Sequence, residues 1–218
     1  MTKILITGFR HSGTTLLMQL IMHHPKVGGI ENEEGYIEFP KPKEWVEMMA
    51  SKRVPDLKKY AWGEKIPWGT RDNDLKAKRA IGFSTKWLRY FGKSARVLHI
   101  LRHPIGTASS GGKDGKPGEE ALKFIESSLL RFIDFVNNDK RCATIVYENL
   151  VLEPHIYLPK IFKFLNLDHD PKITKKVILD TELKLKFGRI NPERAYSYKG
   201  DGFDEEYDKY LERLKNRL

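Results

Sequence analysis

The chain of 218 residues carries 39 Lys and Arg against 29 Asp and Glu, a formal net charge of +10, and its length suits one domain over 1–218. With 40% hydrophobic and 31% charged residues it has the apolar material for a core, which excludes disordered, collagen-like and low-complexity classes. Cys142 is the single cysteine, and the longest apolar stretches, such as Leu16 to Met22 and Val97 to Leu101, fall far short of the roughly 20 residues that span a bilayer, so no internal disulfide, cysteine-based zinc site or transmembrane helix is expected.

Lys3 to Thr7 reads as a short apolar strand that ends at Gly8, and Leu16, Leu17, Leu20 and Ile21 recur at helical spacing from Thr14 onward. Glu44 to Lys52 predicts a short helix, and Trp62 to Ile66 a short extended segment halted by Pro67. Ser84 is placed to cap a helix running to Phe91 with Gly92 closing it, Arg96 to Leu101 reads as a buried strand, and Pro104 opens the next helix. From Glu119 to Val136 the set Leu122, Ile125, Leu129, Phe132, Ile133 and Val136 follows the amphipathic period closely. Cys142 to Tyr147 predicts a strand, Pro154 to Leu165 a helix, and Tyr207, Leu211, Leu214 and Leu218 a C-terminal helix. Nearly continuously apolar strands alternating with helices predict an α/β fold whose parallel sheet is covered on both faces, with ligands gathered beyond the carboxyl ends of the strands.

The absence of a disulfide pattern makes a reducing cytoplasm the default location. Gly8, Arg10 and His11 interrupt the N-terminal apolar run before a secretory core is complete, so secretion is not expected. A basic balance suits nucleic acid, a small polyanionic cofactor, an acidic glycan or a membrane surface alike, and does not choose among them.

Three segments carry chemistry. Gly8-Phe9-Arg10-His11-Ser12-Gly13-Thr14-Thr15 stands directly after a strand and before a helix, the arrangement in which backbone N–H groups and the positive helix end surround a phosphate. The triphosphatase pattern needs Lys after the second glycine, and Thr14 stands there. The threonine pair Thr14 and Thr15 can still hydrogen-bond one phosphate, with Arg10 and His11 supplying donors from inside the loop. The strand Val97 to Leu101 ends in Arg102 rather than in a metal-holding acid, and a cation there binds an anion, with Ser110 placed to share it. His99 and His103 are four apart, which on a helix would suggest a metal pair, but they flank a strand and point in inconsistent directions, so both read as structural. Glu64-Lys65, before Ile66 and Pro67, can serve as general base and electrostatic stabiliser, although an isolated Glu-Lys pair is most often solvated surface charge.

Taken together, these segments resemble the sulfotransferases that use 3′-phosphoadenosine 5′-phosphosulfate (PAPS). The family's 5′-phosphosulfate loop is similar to Arg10 through Leu16, and its 3′-phosphate motif to Arg102-His103-Pro104 with Ser110 eight residues after the arginine. Thr144 to Leu150 is similar to a downstream strand and turn of the family, and Tyr198-Lys199-Gly200-Asp201 to its cofactor-closing segment. Glu64-Lys65-Ile66-Pro67 resembles the Glu-Lys-Thr-Pro of the glycan-type branch, with Ile66 in place of threonine and His11 in place of the usual loop cation. The resemblance implies a three-layer α/β sandwich of P-loop NTPase type. It implies PAPS as sulfuryl donor and adenosine 3′,5′-bisphosphate (PAP) as product, with a hydroxyl-bearing acceptor such as a carbohydrate or a small molecule. Arg10, His11, Ser12, Gly13, Thr14 and Thr15 would then hold the 5′ end of the cofactor, and Arg102, Ser110, Lys199 and Gly200 its 3′-phosphate. Glu64 would be the base, with Lys65 and His11 at the transferring group and no metal required. Two other readings are a small P-loop kinase, which Thr14 and the missing acid at the strand end oppose, and a basic nucleic-acid module, which the scattered Trp45, Trp62, Trp68 and Trp87 oppose.

Overall fold

The computed structural model describes residues 2–9, 11–32, 61–68, 73–109, 119–184 and 204–218, several of them, including 29–32, 61–68 and 73–80, by the course of the backbone alone. The expected helix over Glu44 to Lys52 lies outside them. Strand β1 (Lys3–Phe9) leads through the glycine loop into α1 (Thr14–Met22), followed by β2 (Val27–Asn32) and β3 (Ala61–Trp68). Then come α2 (Asn73–Phe91), a 3₁₀ turn at Gly92–Ser94, β4 (Ala95–Leu101), α3 (Pro104–Ser109) and α4 (Glu119–Asn137). The chain continues through β5 (Cys142–Val146), α5 (Tyr147–Leu152), α6 (Pro154–Phe164), α7 (Pro171–Lys184) and α8 (Asp204–Glu212).

Every described strand pair is parallel, in the order β2-β3-β1-β4-β5, so β1 and its loop lie at the centre of the sheet. The period-2 alternation of the strands sorts the core onto two faces. Leu5, Phe9, Val97 and Leu101 pack with Trp87 of α2 and with Phe132 and Val136 of α4. Ile4, Ile6, Leu98 and Ile100 pack with Leu17, Leu20 and Ile21 of α1 and with Leu158 and Phe162 of α6. The result is the expected three-layer α/β sandwich with a parallel central sheet.

Several boundaries differ from the sequence reading. The helix expected from Ser84 begins at Asn73, eleven residues earlier. Pro67 does not halt the extended segment: β3 runs on to Trp68 and Pro67 pairs with Gly8. The described pairing of β3 with β2 ends at Asn32 and Lys65, two residues before Pro67. Neither β2, whose Val-Gly-Gly-Ile carries no strand pattern, nor α7 was legible. The C-terminal helix stops at Glu212 instead of running to Leu218, because the last residues lie along the edge of β5, where Leu218 N–H donates to the Thr144 carbonyl at 3.1 Å.

Candidate active site

The glycine loop is shaped by two tight approaches and two left-handed residues. A Cβ on Gly8 would stand 2.6 Å from the Ile100 carbonyl and 2.8 Å from Ser12 Oγ, so β1 and β4 approach closely at the point where the chain leaves the sheet. Gly13, at φ +100°, caps α1 and lies against the Tyr147 ring, which occupies the space a Cβ would need. Ser12 is fully buried and folds back on the strand, its N–H and Oγ both donating to the Phe9 carbonyl at 3.1 and 2.7 Å. His11, at φ +66°, is exposed at the turn. Thr14 is buried and Thr15 exposed in the first turn of α1, whose N–H groups have no carbonyl four residues back within the helix. A helix start of this kind, in a turn with two positive-φ residues, is suited to hold an anion.

The second wall is the end of β4. Gly8 pairs with Ile100, so Arg102 falls two positions beyond it, level with the start of the loop. Arg102 as a whole is 6% exposed, and its guanidinium lies 4.6 Å from the Tyr147 ring centroid and donates from Nη1 to the His11 carbonyl at 3.1 Å. Glu148, in the first turn of α5, accepts from His103 N–H at 2.9 Å and from the Tyr207 hydroxyl of α8 at 3.2 Å. Burial raises the Glu148 carboxyl above its ordinary value, opposed by the His103 N–H, its own N–H, the Arg102 charge and the Tyr207 hydroxyl. Burial and the Glu148 charge likewise hold the Tyr207 phenol well above its usual range. The His103 ring meets Tyr207 edge-on at 4.9 Å. His99 is fully buried between Thr7 and Thr144 in the sheet register and against Phe132, and burial keeps it neutral by lowering its pKa well below 6.5. Both histidines flanking the strand are thus packed into the framework, and among the described residues no His, Cys, Asp and Glu cluster suits a metal.

The structure therefore brings His11, Ser12, Gly13, Thr14 and Thr15 together with Arg102 at one end of the sheet, beyond the carboxyl ends of β1 and β4. Arg10, Ser110, Lys199 and Gly200 lie outside the described residues. Glu64 and Lys65 belong to β3 rather than to its end, beside Leu5 and Ile6, and Glu64 is three positions, about 10 Å along the strand, before the row of Gly8 and Pro67. Sequence reasoning did not assign Tyr147 and Tyr207 to this site, nor Glu148 as the group linking Tyr207 to the backbone just after β4. Their signal lay in contacts 45 and 59 residues apart, which no local pattern encodes.

No family model matches the chain, and no curated protein does. Among solved structures, the sulfotransferase domain of the Synechococcus PCC 7002 olefin synthase is similar at a TM-score of 0.57 and 15% identity, over 92% of this chain and 88% of that one. The mouse sulfotransferase SULT7A1, in a complex with PAP, is similar at 0.54 and 19% identity over 99% and 84%. A sulfotransferase from Alicyclobacillus acidocaldarius is similar at 0.52 and 13% identity over 99% and 94%. At these identities what is shared is the fold, and the chain has the fold of the sulfotransferases.

Proposed function

We propose that this chain is a sulfotransferase that moves a sulfuryl group from PAPS to an acceptor hydroxyl, with residues 1–218 acting as one domain. The observation that carries the reading is the placement of buried Arg102 at the end of β4, in hydrogen-bond contact with the glycine loop. A loop and helix N-terminus with a neighbouring cation form a donor set for a doubly phosphorylated nucleotide, and Thr14 in place of the triphosphatase lysine disfavours ATP. The bound cofactor would supply an activated sulfuryl group and a phosphate leaving group. Loop N–H groups and Arg10, His11, Ser12, Thr14 and Thr15 would hold its 5′ end, while Arg102, Ser110, Lys199 and Gly200 would hold the 3′-phosphate. Lys65 would offset charge developing on the leaving phosphate.

Glu64 is our candidate for the base that takes the acceptor proton, and its surroundings in Glu64-Lys65-Ile66-Pro67 favour a carbohydrate hydroxyl. A second assignment is favoured by one specific observation: His11 is exposed within the loop itself, whereas Glu64 is placed within β3. No helix among the described residues is long and apolar enough to cross a membrane, and the single cysteine suits a reducing cytoplasm. Calorimetric titration with PAP, ATP and a short oligonucleotide tests the reading, and binding of PAP well above the other two supports it. Preference for ATP with magnesium moves the assignment to a small kinase, and an acceptor screen with radiolabelled PAPS identifies the hydroxyl.

A further inference from the structure

We propose that Arg102 is a positioning residue for the glycine loop, holding it in its anion-accepting shape through the His11 carbonyl, in addition to any contact it makes with a 3′-phosphate. The inference rests on the reading of the loop as a 5′-phosphosulfate site. His11 carries a Cβ yet stands at φ +66°, a conformation uphill for any residue but glycine, so the turn must be held by its surroundings.

On the β1 side the holding contacts are local: Ser12 N–H and Oγ on the Phe9 carbonyl. On the far side the contact is long-range, Arg102 Nη1 on the His11 carbonyl, across 91 residues of sequence. The guanidinium is itself seated on the Tyr147 ring, and the same ring lies against Gly13. Tyr147 therefore supports both ends of the turn, once directly at Gly13 and once through Arg102 at His11. A rigid planar fork can sit on a ring and aim an N–H at a carbonyl together, whereas a lysine ammonium at the same place keeps the charge and loses that geometry. Arg102 thus serves the 5′ end of a ligand that carries no 3′-phosphate at all.

The test uses the full chain as wild type, Arg102→Ala and Arg102→Lys, each also in a His11→Gly background, with folding checked by circular dichroism. Hydrogen exchange without any ligand reads the loop directly: the Ser12 amide, bonded to Phe9, should exchange about tenfold faster in Arg102→Ala, the scale set by loss of one charge-assisted bond. Calorimetry with adenosine 5′-phosphate should show about tenfold weaker binding in both Arg102 variants. In the His11→Gly background, where a positive φ is adopted without being held, the further loss should be under about twofold. Should Arg102→Ala fail to fold, Arg102→Lys gives the same comparison. Unchanged Ser12 exchange together with unchanged adenosine 5′-phosphate affinity, beside a loss confined to PAP, overturns the inference and leaves the proposed function standing. Wild-type chain that binds neither nucleotide removes the proposed function itself, and loop protection that still depends on Arg102 would then support only the structural part.

Discussion

Gly13→Ala isolates how closely the loop is built against α5. Two costs arise from the structure. The residue stands at φ +100°, where a side chain strains the backbone by about 1–2 kcal/mol. The new methyl group would also stand 2.8 Å from Tyr147 Cε2 and 3.2 Å from Ile100 Cδ1, an overpacking that costs about 1–3 kcal/mol when neighbours must yield. The sum is about 2–5 kcal/mol. With a urea dependence of roughly 2 kcal/mol per molar, the unfolding midpoint should fall by about 1–2.5 M. The two costs separate in the background of Tyr147→Ala, which removes both ring atoms that meet the new methyl group and leaves the φ of residue 13: there Gly13→Ala should cost little more than the strain, about 1–2 kcal/mol. Nucleotide affinity, measured by calorimetry under native conditions, should fall as well, because the N–H groups of the α1 start shift with Gly13. A Gly13→Ala midpoint within 0.2 M of wild type, or an equal cost in both backgrounds, would refute the argument that the Tyr147 ring and the positive φ together demand glycine.

Glu148 makes stability depend on pH in one direction. Its carboxyl is raised in the folded chain from an ordinary value of 4.5, so above pH 4.5 the native state holds the proton more tightly and stability falls as pH rises, by up to about 1.4 kcal/mol per unit, until the raised value is passed. Urea titrations should show that slope in wild type and lose it in Glu148→Gln. His99 has the opposite sign: its folded-state pKa lies well below 6.5, the unfolded chain binds the proton first, and stability falls as pH drops below 6.5, a slope that His99→Gln should remove. For the base, Glu64→Gln should lower turnover by about two orders of magnitude with PAP affinity nearly unchanged. Retained activity in that variant, with loss in His11→Asn, assigns the proton transfer to His11.

Much of the framework was legible because it is local. Strand β1, the glycine loop and α1 follow from a short apolar run, two glycines and helical spacing within 20 residues. The amphipathic period of α4 and the apolar runs of β4 and β5 are equally direct, and the cation at the end of β4 is visible as Arg102 following Leu101. The resemblance of these segments to sulfotransferases is matched by the fold.

What only the tertiary structure decided is non-local. Strand order places β3 between β2 and β1, and register then sets Glu64 beside Leu5 within the strand, where the local reading had ended it at Pro67. The weakly patterned Val27 to Asn32 becomes a strand because β3 offers a hydrogen-bonding edge, and the tail after Glu212 leaves its helix for the edge of β5. The guanidinium of Arg102 reaches the His11 carbonyl, and Tyr207 reaches Glu148, only when β4, α5 and α8 converge at one end of the sheet. Sequence specifies which groups can donate, accept or carry charge; which of them meet depends on the packing of elements that are distant along the chain, because a hydrogen bond extends only about 3 Å and carries no trace in the residues between its partners.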